Sequence, residues 1–241
     1  MKKRLIHILN NIGKTVIIIF VLFQLYIMAR LYLFASCVIP TYSMSPTLLG
    51  GDYIIASLQI PGRRICKKNN NGGIAVSRKS GIRKLRKGDI IVFNFPYSSN
   101  KNKMIFESKL FYCKRCTGLP GERHEWEWNS KKFSIYIPRS GDELSVDAHN
   151  FNDYRRCIEY ETSKHMTNID GTILLGDSVI KTYRFKKDYY FMQGDNIYDS
   201  YDSRFWGLLP DDFILGVGKF IWFSKDMETG EIRWERLFKM I

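Results

Sequence analysis

Acidic residues are absent from positions 1–39, and the whole 241-residue chain has 24 of them against 37 Lys and Arg. Histidine is scarce. His124, His149 and His165 have no companions at metal-ligand spacing, so ordinary surface or hydrogen-bonded histidines are the default reading. The five cysteines (37, 66, 113, 116 and 157) make no convincing disulfide framework, because Cys37 falls in an apolar segment and the other four could pair three ways. Cys113-Lys-Arg-Cys116 has the spacing of half a zinc or redox site, but a second pair is lacking. On a strand those two thiols face opposite ways, which suits fillers in a sheet. No helix-turn-helix, zinc-finger or RRM signature accompanies the net charge of +13, so nucleic acid is not expected as a partner. Internal repeats are missing, and so is a second long apolar run.

The one long apolar run is Thr15 to Ile39, interrupted by Gln24, Arg30 and a few hydroxyls. Twenty-five helical residues would extend about 37 Å, enough to cross a hydrocarbon core of ~30 Å. Lys2, Lys3, Arg4 and Lys14 precede it, so 1–14 is expected as a cytoplasmic basic tail, 15–39 as a transmembrane anchor and 40–241 as an extracytoplasmic domain. Arg30 is costly at a bilayer centre and would have to snorkel towards the outer face. A cleaved secretory signal is the rival reading, with Ala35-Ser36-Cys37 as the small-residue site, but the apolar stretch is longer than a signal's core. Five of the net positive charges lie in 1–39, leaving +8 on 40–241, and a basic domain beside a membrane is attracted to anionic lipids.

After the anchor the sequence reads as strands joined by turns. Tyr53–Leu58, Ile90–Phe95, Met104–Thr117, Tyr189–Met192 and Phe213–Phe223 are β-prone runs bounded by Gly, Pro or Asp. Residues 59–87 are basic and turn-rich, with Asn69-Asn70-Asn71-Gly72-Gly73 at their centre, and are expected as an exposed loop. Residues 122–188 are poorly assigned and insertion-like, with strands around Trp126 and Ile135 and room for a short helix in 147–170. The class is mainly β, an antiparallel sheet domain behind one N-terminal helix.

Between anchor and domain lies Pro40-Thr41-Tyr42-Ser43-Met44-Ser45-Pro46-Thr47-Leu48, followed by a Gly50-Gly51-Asp52 turn. The prolines restrict φ and push Ile39 and Ser45 towards extended geometry, so the run is expected to be stiff. On its own it suits either a stem or the seat of a nucleophilic serine.

Three separated stretches, in one order, resemble the type I signal peptidases. The first is this run with Gly51-Asp52-Tyr53, similar to the family's Ser-Met-x-Pro-Thr-Leu box behind its anchor. The second, Lys114-Arg115-Cys116-Thr117-Gly118-Leu119-Pro120-Gly121-Glu122, resembles Lys-Arg-x-x-Gly-Leu-Pro-Gly-Asp. The third joins Gly194-Asp195-Asn196 to Ser200-Tyr201-Asp202-Ser203-Arg204-Phe205-Trp206-Gly207-Leu208-Leu209-Pro210, and Lys87–Phe93 fits a weaker fourth box. Together they cover about a quarter of the chain; 122–188 and 225–241 carry no motif.

The resemblance implies a signal-peptidase-like antiparallel β domain and a serine–lysine endopeptidase of the bacterial cytoplasmic membrane, a variant of the Ser-His-Asp arrangement. Its implied substrates are exported preproteins cut after small residues at −3 and −1. Ser43 would be the nucleophile, Lys114 the general base, and Thr41 with the Ser43 N–H the oxyanion hole. Ser200 would orient the lysine, and Arg115, Asp195, Asp202 and Arg204 would support the site. No cofactor or metal is implied. Thr41 stands for the commoner serine, Tyr42 for a frequent glycine, Glu122 for aspartate and Ile197 for a residue often basic. The alternatives are a specialised Ser/Lys maturation peptidase of a conjugation or secretion system, or a non-catalytic membrane-anchored β domain that binds peptides or lipids.

A lysine with the ordinary pKa of ~10.4 is useless as a base at pH 7, and lowering it by about three units requires ~4 kcal/mol against the charged form. Burial supplies such a penalty. If 104–116 is one strand, Met104, Phe106, Leu110, Tyr112, Lys114 and Cys116 share a face that would desolvate the ammonium.

Overall fold

The computed structural model describes residues 2–68, 74–97, 102–106 and 110–241, with side chains from residue 11 onward except at 31 and 68. In chain order it runs α1 (Lys2–Tyr32), β1 (Phe34–Val38), β2 (Asp52–Ser57), β3 (Arg64–Lys68), β4 (Ile74–Arg78), β5 (Ile90–Asn94), β6 (Phe111–Gly118), β7 (Arg123–Trp128), β8 (Lys131–Tyr136) and β9 (Glu143–Ser145). It continues with α2 (Phe151–Thr162), β10 (Met166–Ile169), β11 (Thr172–Leu175), β12 (Ser178–Val179), β13 (Thr182–Arg184), β14 (Tyr189–Gln193), α3 (Ser203–Trp206), β15 (Leu209–Pro210) and β16 (Ile214–Ser224). The protein is mainly β, with an apolar N-terminal helix as expected.

An antiparallel seven-stranded sheet in the order β1-β2-β16-β5-β6-β14-β15 carries the fold. Its centre is β5, whose Ile-Ile-Val-Phe-Asn is buried along its whole length, as a strand covered on both faces must be. One face packs Ile91, Phe93, Cys116, Phe191 and Trp206 into the larger core. The other packs Ile54, Ile90, Val92 and Ile221 with Ile39, Met44 and Leu48. Cys113 and Cys116 therefore serve opposite cores, and all five cysteines are free thiols.

Four expectations need correcting. The helix ends at Tyr32 rather than continuing to 39, because Phe34–Val38 pair with Ser57–Tyr53 as a sheet strand. The stretch of α1 long and apolar enough to cross a membrane is Asn11–Arg30, none of whose side chains is buried. Residues 59–87 are not simply a solvated loop, although 69–73 lie outside the described residues. Here β3 and β4 form a hairpin, and Arg64 and Arg78 reach in to the carbonyls of Phe213 (3.1 Å) and Ile214 (2.6 Å). The lysine strand begins at Phe111, so Met104 and Phe106 reach the larger core from the segment before it; 107–109 lie outside the described residues. Residues 122–188 resolve into small sheets, β7–β8, β9–β13 and β10–β11–β12, around α2, whose Tyr154, Cys157 and Ile158 are buried.

Candidate active site

The loop after β1 is held at both ends and nailed down in its middle. Gly51 N–H donates to Ile39 O and Ile39 N–H to Asp52 O, each at 2.8 Å, closing the loop at its base. Ile39, Met44 and Leu48 are buried in the smaller core, and each apolar side chain so placed is worth roughly 1.5–3 kcal/mol. The run is not extended. It makes a tight turn in which Ser45 N–H donates to Tyr42 O and Leu48 N–H to Met44 O, both at 2.9 Å, and Ser45–Pro46 is cis. Ser43 lies in this turn, half-buried, and its N–H has no protein partner among the described residues.

The run after β14 packs against it. Asn196 N–H donates to Ser43 O at 3.1 Å, and Asn196 Nδ2 to Tyr42 O at 3.4 Å. Gly194 is required here. A Cβ at that position would fall 2.4 Å from Ser43 O and 2.2 Å from Ser200 Oγ, closer than atoms can approach.

Lys114 comes from β6, where it pairs across with Ile91 of β5. It is 4% exposed, and its Nζ lies 2.5 Å from Ser43 Oγ. Thr41 Oγ1 is 3.3 Å from the same Oγ. Burial pushes the Lys114 ammonium below the ordinary lysine pKa, and the Asp202 carboxylate pulls against that without reversing it. Ser43 and Lys114 are 71 residues apart in sequence; the sheet order and the smaller core bring them together.

Two Arg–Asp pairs stand beside Ser43 and Lys114. Arg204 holds Asp202 through Nε (2.8 Å) and Nη2 (2.8 Å), and both side chains are buried. Asp202 also accepts from Gly194 N–H at 2.9 Å and from Ser200 Oγ at 2.8 Å. The Ser200 hydroxyl thus points its proton at Asp202 rather than at the lysine. Arg115, next to Lys114 on the opposite strand face, grips Asp195 through Nε (2.7 Å) and Nη2 (2.6 Å) and donates to Gly88 O at 2.7 Å. Burial alone would raise the Asp195 carboxyl, but Arg115 outweighs it and the pKa falls. Ile197 is exposed and contributes only its carbonyl, which accepts from Arg204 Nη2 at 2.9 Å.

Sequence reasoning missed a third cluster. Asp52 is fully buried and bound by Arg236 through Nε (2.9 Å) and Nη2 (2.6 Å), by Ser224 Oγ (2.7 Å) and by Leu49 N–H (2.8 Å). Arg236 also donates to Thr47 O at 2.9 Å, and Arg233 to Gly50 O at 2.9 Å. The motif-free tail of the chain therefore clamps the loop that carries Ser43. The signal available was Gly51-Asp52, quoted in the first box but given no partner.

A cleft of about 400 Å³ opens over Ser43 and Lys114, walled by Cys37 and Val38 of β1 with Ile39 after it, by Phe111–Lys114 of β6, and by Asp199 and Tyr201. Tyr42 does not line it. Its ring lies instead against Gly50, 3.3 Å from where a Cβ would stand.

The sequence model of the family "Signal peptidase, peptidase S26" matches residues 10–223. Among curated proteins, the chain is similar to signal peptidase I of Buchnera aphidicola subsp. Schizaphis graminum, 26% identical over 272 residues, covering 95% of this chain and 78% of that protein. It is also similar to signal peptidase I of Haemophilus influenzae, 25% identical over 264 residues (89% and 71% covered). Signal peptidase I T of Bacillus subtilis is 26% identical over 214 residues (88% and 83%). The family match spans both the turn that carries Ser43 and the strand that carries Lys114, and with it the chain belongs to the S26 signal peptidases, a family of serine peptidases.

Proposed function

We propose that Ser43 and Lys114 are the catalytic dyad of a membrane-anchored endopeptidase that removes signal peptides from exported preproteins after small residues at −3 and −1. The observation that carries this reading is the buried Lys114 amine 2.5 Å from the Ser43 hydroxyl. An ammonium there is poorly solvated and gives up its proton more readily than an exposed lysine. Neutral Lys114 takes the Ser43 proton as Oγ attacks the scissile carbonyl, then donates it to the leaving amine. The acyl-enzyme is hydrolysed by a water that the same amine deprotonates. The negative charge on the carbonyl oxygen is met by the Thr41 hydroxyl and the unengaged Ser43 N–H. Ser200 acts on the lysine through Asp202, whose carboxylate it steadies, and the Arg115–Asp195 and Arg204–Asp202 pairs hold the two walls in register.

The Asn11–Arg30 helix is the anchor, about 30 Å long and so matched to a bilayer core. The basic residues before it and the lack of acids in 1–39 favour a cytoplasmic N-terminus, with 40–241 outside the bacterial cytoplasmic membrane. The excess of positive charge on that domain favours contact with anionic lipid.

The test is cleavage of a preprotein with Ala at −3 and −1 by the full chain in vesicles. Ser43→Ala and Lys114→Ala each abolish it while circular dichroism stays unchanged. Full activity in Lys114→Ala would sink the mechanism.

A further inference from the structure

The cleft over the dyad is apolar along its β1 edge, and the polar groups of the catalytic machinery in it are mutually engaged: Thr41 with Ser43, and Ser43 with Lys114. Asp199 differs. Its backbone N–H donates to Asn196 O at 3.2 Å, but its carboxylate has no hydrogen-bond or ion-pair partner among the described residues. It faces solvent, lines the same cleft as the dyad, and is near enough to Lys114 to favour that lysine's charge. Two aromatic rings, Tyr112 and Tyr201, line the cleft with it, and the Tyr112 centroid is 6.0 Å from Lys114 Nζ.

A carboxylate left without a partner in a chain of net charge +13 does no structural work that the hydrogen bonds reveal. Lys114 cannot be that partner in the working enzyme, since it must be neutral and directed at Ser43. What remains in the cleft is one negative charge in the company of two tyrosine rings, beside Ser43 and Lys114, a combination that can bind an ammonium or guanidinium.

We propose that Asp199 is a specificity-determining residue that selects preproteins with a lysine or arginine beside the scissile bond, seating the cationic side chain between its carboxylate and the rings of Tyr112 and Tyr201. The inference rests on the Ser43–Lys114 reading and goes beyond it, because small residues at −3 and −1 leave the charge at −2, +1 and +2 open.

The test uses the full chain in vesicles and a preprotein with Ala at −3 and −1, carrying Lys, Gln or Glu singly at −2, +1 or +2. At one of these positions the wild type prefers Lys to Gln by about tenfold in kcat/KM and disfavours Glu. In Asp199→Asn the Lys-to-Gln ratio falls to near one, and in Asp199→Lys the Glu preprotein becomes the better substrate. A wild type indifferent to charge at all three positions overturns the proposal. So does a Lys preference that survives Asp199→Asn, including the case in which that variant slows every substrate equally. Failure of the underlying reading looks different: the wild type cleaves none of the preproteins, or Ser43→Ala cleaves them as well as the wild type does.

Discussion

Arg236 and Lys114 are both buried cations, 7% and 4% exposed, and both reach the loop that carries Ser43. Their surroundings are opposite in kind. Arg236 meets Asp52 with two hydrogen bonds, and Asp52 is further satisfied by Ser224 and Leu49 N–H. Burial alone would raise the Asp52 carboxyl, yet these donors win and its pKa is lowered. Lys114 has a hydroxyl for its hydrogen-bond partner, and the carboxylate that attracts it, Asp202, is already gripped by Arg204. The paired cation fixes geometry. The under-compensated one is pushed towards neutrality, which is what the proposed role of general base requires.

The strongest way to break the comparison is to remove the under-compensated charge. Lys114→Met should lower kcat/KM by at least about 10³-fold, since proton transfer to and from Ser43 is lost. The same variant should melt higher at neutral pH, because a desolvated ammonium leaves the core. The sign follows from linkage. The folded Lys114 pKa is depressed, so the unfolded chain binds more protons and the native state is penalised below that folded value. The stabilisation from methionine is therefore greatest at lower pH and fades as pH rises from the depressed value towards ~10.4. In the wild type, kcat/KM should rise with pH through an ionisation below the ordinary lysine value. An acid limb absent over that range would contradict the assignment of Lys114 as base.

Removing the paired charge should have the reverse signature. Arg236→Met strands Asp52 in the core, and breaking a buried pair from one side costs roughly 3–5 kcal/mol. Chemical denaturation should show this loss at pH 7. It should shrink in acid, as the Asp52 carboxyl, no longer held down by Arg236, takes up a proton. Activity per folded molecule should fall much less than in Lys114→Met. If Arg236→Met is as stable as the wild type, the clamp described here does not hold the loop.

These two clusters also differ in how visible they are in the sequence. Ser43, Lys114 and the 194–204 run lie in short contiguous motifs, because catalysis needs particular side chains on particular turns and strands, and such needs are written locally. Asp52 and Arg236 are 184 positions apart, and their meeting depends on β16 lying beside β2. Nothing in the tail itself announces that partner. Arg64 and Arg78 were misjudged for a related reason. A basic run with glycines looks like solvated loop, and only the tertiary fold supplies the carbonyls that receive those guanidiniums. The end of α1 was hidden because Phe34–Val38 continues its apolar composition, and a short apolar run does not declare whether it is helix or strand. The β class, by contrast, was legible because runs such as Ile90–Phe95 are short and bounded by turn residues, Lys87-Gly88-Asp89 before and Pro96 after.

A smaller effect separates the proposed oxyanion groups from the proposed base. Thr41→Val keeps the shape of the side chain and deletes the hydroxyl 3.3 Å from Ser43 Oγ, so kcat should drop by roughly 10²–10³ while the pH at which Lys114 titrates stays put. A shift of the acid limb in Thr41→Val would mean that the hydroxyl acts on the lysine and not on the oxyanion.

The smallest effect belongs to Tyr42, the bulky residue beside Ser43. Were its ring part of the substrate cleft, Tyr42→Gly would change which residues are accepted at −3 and −1. The ring instead packs on Gly50, at the same turn whose carbonyl receives Arg233, and it is 40% exposed. Tyr42→Gly should therefore act through the clamp side of the comparison. It removes a partly buried ring and adds backbone freedom, for a loss of about 1–2 kcal/mol. It also loosens the turn that aims Ser43 at Lys114, so kcat should fall a few-fold with the ranking of −3 and −1 residues intact. Tyr42→Phe should restore both stability and rate, since packing and not the hydroxyl is what the ring contributes. A changed ranking in the glycine variant would move Tyr42 into the cleft and make the loop, like the lysine, part of the reactive half of the molecule.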